Sequence, residues 1–89
     1  MENNTIKTSN DKKTAMIRLK GLEQIREFAA AAVEHDYVII LQSGNYSVNG
    51  KSVMGILSLD LSAPVVLAVD RPYADEFFEE VSKFIVDGE

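Results

Sequence analysis

Cysteine is absent from these 89 residues, and histidine occurs once, as His35. Without thiols there is no disulfide framework and no thiolate metal site, and a lone imidazole offers no His pair for a transition metal. Long apolar runs are missing too. None approaches the ~18 residues of a membrane span, and the chain starts with polar residues and no apolar stretch of the secretory kind, so the expected setting is cytoplasmic, with no membrane contact. Positive charge is scarce: nine Lys and Arg stand against fourteen Asp and Glu, a net charge of −5. Residues 70–89 hold seven acids (Asp70, Asp75, Glu76, Glu79, Glu80, Asp87 and Glu89) against Arg71 and Lys83, which accounts for the whole excess. Because binding to a phosphate backbone needs a basic face, nucleic acid is not an expected partner. No glycine-rich loop runs from a strand into a helix, and the serines have no histidine base in plausible reach other than His35, so the chain reads as no enzyme, with no metal and no cofactor.

What is present suits one small domain. Hydrophobic residues make up 46%, enough for a core, although a chain of this size buries only about 60% of its unfolded surface. Residues 1–14 contain Ile6 among Asn, Thr, Lys, Ser and Asp; ordering them costs entropy with little burial in return, so they are expected to be a disordered tail ahead of a domain over 15–89. Ala15 to Lys20 alternates as a half-buried strand and stops at Gly21. Leu22 to Glu34 repeats its apolar residues (Leu22, Ile25, Phe28, Ala29, Ala32, Val33) at helical spacing, with His35 and Asp36 closing the helix. Tyr37 to Gln42, the turn residues Ser43-Gly44-Asn45 and Tyr46 to Asn49 read as a hairpin. Val65 to Asp70 is a further strand, and Pro72 opens a last helix whose buried stripe is Tyr73, Phe77, Val81 and Phe84 with Ile85. Four strands, two long helices and a short one in this order most easily make an α+β open-faced sandwich, an antiparallel sheet with its helices on one face.

The stretch from Tyr46 to Leu61 organises the rest. Asn49-Gly50 reads as a turn and Ser52 as the N-cap of a short helix carrying Val53, Met54, Ile56, Leu57 and Leu59. A serine oxygen at an N-cap accepts a backbone N–H one turn in, and that helix end also tolerates an anion. Asn49, Lys51, Ser52, Met54, Gly55, Ser58 and Leu59 resemble, nearly letter for letter, the regulatory-serine helix of HPr, the histidine-containing phosphocarrier of the bacterial sugar phosphotransferase system. The likeness spans about Ala15 to Asp87 in length and element order. It implies the HPr-like sandwich, β-α-β-β-α-β-α, and phosphorylation of Ser52 by an HPr-type serine kinase. It further implies a partner-binding patch of Lys51, Val53, Met54 and Leu57, whose partner would be that kinase or a catabolite regulator.

The other half of an HPr site does not follow. The family carries its phosphate on a histidine within Gly-Leu-His-x-Arg-Pro-Ala at the start of the first long helix. Here Gly21 and Leu22 match, but Glu23 stands where the histidine belongs and no Arg-Pro follows; counted back without gaps from Ser52, Gly21 takes the histidine's place, Glu23 the arginine's and Gln24 the proline's. Either way the nucleophile is gone and an acid sits where an anion would bind, a repulsion of order 1–4 kcal/mol at 4 Å. Gly21 and Glu23 are thus a degenerate phosphohistidine site. His35 falls roughly 18–20 Å away at the far end of that helix and reads as a structural residue near a helix C-terminus. The expected function is a non-catalytic HPr-like regulatory or interaction domain. The alternatives are a phosphocarrier using an unexpected group such as His35 or Glu23, and an HPr-like fold reused for unrelated protein binding.

Overall fold

Period-two alternation builds a sheet wherever one face of a segment can be buried, and three segments here meet that condition. The structure, a computed structural model, describes residues 6–9, 12–70 and 74–86. Its strands are β1 (Ile6–Ser9), β2 (Lys12–Ile17), β3 (Ile39–Ser43), β4 (Tyr46–Asn49), β5 (Val65–Val69) and β6 (Ile85–Val86). The helices are α1 (Leu22–Val33), α2 (Val53–Leu57) and α3 (Asp75–Glu80), followed by a 3-10 turn at Ser82–Phe84. All pairings are antiparallel, in the order β1-β2-β5-β3-β4, and β6 pairs β2 on the edge shared with β1. One register row runs Ala15, Leu67, Leu41, Val48 across β2, β5, β3 and β4.

That row faces the helices. Ala15, Ile17, Val65, Leu67, Val69, Ile39 and Leu41 are buried, and they form one core with Ile25, Phe28, Ala29 and Ala32 of α1, Ile56 of α2, and Phe77 and Phe78 of α3. Each fully buried Leu, Ile or Phe contributes roughly 1.5–3 kcal/mol. Phe28 is central: its ring lies edge-on to Phe77 at 5.6 Å and to Phe84 at 6.4 Å between centroids. The alternate residues Met16, Val66, Ala68 and Ile40 are half-buried on the opposite face, away from the described helices, whose buried residues join the inner face in one core. The fold is therefore α+β with an open antiparallel sheet.

Several sequence expectations need correction. Six strands are described rather than four. Within the expected disordered tail over 1–14, Ile6–Ser9 is a strand and β2 starts at Lys12 rather than Ala15. Here the gain is main-chain pairing along β2, which needs little apolar burial from β1 itself. Lys13, one of these tail residues, is buried: its stem follows the inward parity of Ala15 and Ile17, while its ammonium pairs with Asp75 and stands 5.0 Å from the Phe78 ring centroid. The last helix is six residues, not a long one. Phe77, Val81 and Phe84 are all buried as the stripe requires, but the chain tightens at Ser82 and then lays Ile85 and Val86 along Ile17 and Met16. β1 pairs β2 only as far as Ala15, so β6 takes up the remaining edge positions. Pro72 and Tyr73, expected at the start of that helix, lie outside the described residues, as do Asp87 to Glu89. On α1, Leu22 and Val33 at the two ends of the expected apolar stripe are exposed.

Candidate functional site

Three successive local contacts set up the start of α2. The Asn49 side-chain oxygen accepts the Lys51 N–H at 2.9 Å, and the Asn49 carbonyl accepts the Ser52 N–H at 3.1 Å, which turns the chain out of β4. Gly50 lies against the core: a β-carbon there would come within 2.8 Å of Ile39 Cγ2 and 3.1 Å of the Ile39 carbonyl, so only glycine lets the turn approach this closely. Ser52 then has extended dihedrals (φ −112°, ψ 114°), and its Oγ accepts the Gly55 N–H at 3.0 Å, an N-cap bond that satisfies one of the donors a helix start leaves orphaned. The helix ends at Ser58, whose hydroxyl donates to the Gly55 carbonyl at 2.6 Å.

Ile56, fully buried, anchors α2 to the core, and Val53 is half-buried beside it. A five-residue helix on one sheet cannot cover all its apolar groups, and Met54 is left 77% exposed and Leu57 48% exposed. Lys51 is half-buried, and no acid among the described residues pairs with it. Ser52, Lys51, Val53, Met54 and Leu57 are thus brought together on one flank: a half-buried hydroxyl, a cation and two protruding apolar side chains. Beyond the helix, Asp60 accepts both the hydroxyl (2.6 Å) and the backbone N–H (3.1 Å) of Ser62. These bonds hold its carboxyl below the usual carboxylate range.

The start of α1 is built differently. Gly21 occupies the N-cap with φ +105°, a conformation that favours glycine, and provides no side-chain cap. Glu23 is exposed in the first turn, where its negative charge suits the helix dipole, and Gln24 Oε1 accepts the Lys20 N–H at 2.7 Å. Neither Gly21 nor Glu23 supplies an imidazole or any other phosphate-accepting nitrogen. His35 lies past the other end of this 12-residue helix. Its Nε2 is 3.1 Å from Glu80 Oε1, and its ring stacks on Tyr37 at 5.1 Å and meets Phe77 edge-on at 5.5 Å. This side chain, only 14% exposed, joins the end of α1 to α3.

Among the described residues no group of three His, Cys, Asp or Glu could hold a metal ion, and no helix is long and apolar enough to cross a membrane. Comparison with protein-family models, curated proteins and solved structures finds no match. The two features sequence reasoning missed are the Lys13–Asp75 pin and the His35 cluster. The first had a signal, since Lys13 shares the inward parity of Ala15 and Ile17; the second joins residues 45 positions apart and had none.

Proposed function

We propose that this chain is a non-catalytic HPr-like regulatory or protein-interaction domain that works through α2, with Ser52 as the phosphorylation point for an HPr-type serine kinase. The observation that carries the reading is the combination on one short helix of a capping Ser52 hydroxyl at its start with the protruding Met54 and Leu57. A dianion on Ser52 would sit beside the orphan amides and Lys51 without opposing the fold, and would change the charge next to the apolar patch. The element order over β2 to α3 supports the family likeness, and the start of α1, with glycine and an exposed glutamate, supports the absence of phosphocarrier chemistry.

The test is incubation with ATP and an HPr-type serine kinase that is active on authentic HPr. Labelling of the wild type that disappears in Ser52→Ala supports the proposal. A wild type left unlabelled in that mixture removes it, leaving Ser52 as a structural cap alone. Labelling from phosphoenolpyruvate through enzyme I, lost on replacing His35, would instead favour a carrier.

A further inference from the structure

Of the five asparagines in the chain, only Asn49 precedes a glycine. A side-chain amide followed by a residue with no β-carbon is the arrangement most open to attack by the next main-chain nitrogen, which is what makes asparagine labile. The folded turn holds that attack off. The Gly50 N–H donates to the Ile39 carbonyl at 2.7 Å, and Asn49 Oδ1 accepts the Lys51 N–H at 2.9 Å, so the nucleophile is engaged with β3 and the carboxamide is held in an Asx turn.

Access and restraint are therefore divided between neighbours. Asn49 is exposed, and solvent base and water reach its side chain; Gly50 is buried, and its nitrogen comes free only when the turn lifts off Ile39. From Val48 to Leu57 only Gly50 and Ile56 are buried. A segment with so few buried residues opens at a lower free energy than the core.

We propose that Asn49 is a site of spontaneous covalent modification, gated by local opening of the turn between β4 and α2. Once the bond to Ile39 is broken, the Gly50 nitrogen gives its proton to solvent base and bonds to Asn49 Cγ; the carboxamide C–N bond breaks, and its nitrogen leaves as ammonia with a proton from water. Water then opens the cyclic imide. Cleavage of the new bond leaves aspartate, and cleavage of the original peptide bond leaves isoaspartate, with the main chain running through Cγ. Nothing is oxidised or reduced. Aspartate can still accept the Lys51 N–H, but isoaspartate puts an extra main-chain atom directly before Gly50, which already lies against Ile39, so the turn loses its register and Ser52 its place as cap. A passing opening of the turn becomes a permanent loss of the start of α2.

The test incubates the native and the urea-unfolded chain at mildly alkaline pH and follows Asn49 by peptide mapping with mass spectrometry, with isoaspartyl methyltransferase labelling of the mapped peptide. The unfolded chain should convert at least tenfold faster than the native one. Where opening is fast relative to reaction, the native rate follows the population of the open turn. Ile56→Ala should then raise it at least tenfold and Ser52→Ala about fivefold. Val81→Ala, fully buried at the far end of α3, should leave it unchanged. Far-UV circular dichroism checks folding, and if Ile56→Ala fails to fold, Ser52→Ala decides. Equal rates in native and unfolded wild type, a native rate indifferent to Ile56→Ala and Ser52→Ala, or one raised as much by Val81→Ala, overturns the proposal. No kinase enters this experiment, so failure of the gate and failure of Ser52 labelling are told apart.

Discussion

The starts of α1 and α2 are two solutions to the same problem, the orphan N–H groups of a helix beginning. α1 has twelve residues, four of them in the core, and can do without a side-chain cap; a positive-φ glycine and an acid in its first turn suffice. α2 has five residues and one fully buried anchor, too short to stand on propensity, so it depends on Ser52 at one end and Ser58 at the other. A cap matters most where the helix has least else to hold it, and that dependence puts a hydroxyl, rather than an alkyl group, beside exposed apolar residues. The long helix therefore carries the core, and the short one is held by hydroxyls at its two ends.

The comparison breaks most completely at Ile56. Replacement by Ala removes the one buried anchor of α2 and should cost about 2–5 kcal/mol in denaturant unfolding, whereas a loss below 1 kcal/mol would show that α2 is held by its caps alone. Gly50→Ala drives a β-carbon against Ile39 and should cost about 1–3 kcal/mol; an unchanged midpoint would mean the turn can move outward freely. Ser52→Ala should lose about 1 kcal/mol and Ser52→Asp close to nothing, because the carboxylate can still accept the Gly55 N–H. Equal losses in both would deny the cap its role. At the other start, Glu23→Gln should cost only about 0.3–1 kcal/mol at low salt and less as salt rises, and a salt-independent loss would point to a specific contact. Smallest of all is Asp60. Its carboxyl is held below its ordinary 3.8 by the two Ser62 bonds, so its contribution is present above that ordinary value and is lost as pH falls through the lowered one. The difference in melting temperature between Asp60→Asn and wild type should shrink between pH 7 and pH 2; a constant difference would sink this account.

Much of the fold can be read from local pattern. The apolar period of Ile25, Phe28, Ala29 and Ala32, the hairpin around Gly44-Asn45, and the alternation in Val65 to Val69 all name their elements within a few residues. The edges were harder. Neither β1 nor β6 has enough sequence of its own to announce a strand: four polar-rich residues form one, two residues the other, and both exist because β2 offers them unpaired main-chain groups. The site divides in the same way. Asn49, Gly50 and Ser52 declare a turn and a cap, and the structure forms both, whereas the surroundings of His35 join segments far apart in the chain.

By itself the sequence determined the central elements (α1, the β3–β4 hairpin and β5), that Ser52 caps a helix, that the start of α1 has no phosphate-accepting nitrogen, and that no cysteine chemistry is available. These follow from dihedral preference, side-chain period and residue identity, which act within a turn or two. Only the tertiary structure decided that Lys13 is buried against Phe78, that Ile56 rather than Met54 or Leu57 goes to the core, that the last helix ends at Glu80, and that β4 is the terminal strand of the described sheet. Those outcomes depend on which main-chain donors and which apolar surfaces are still uncovered once distant strands have paired, a competition across the whole chain that no local window contains.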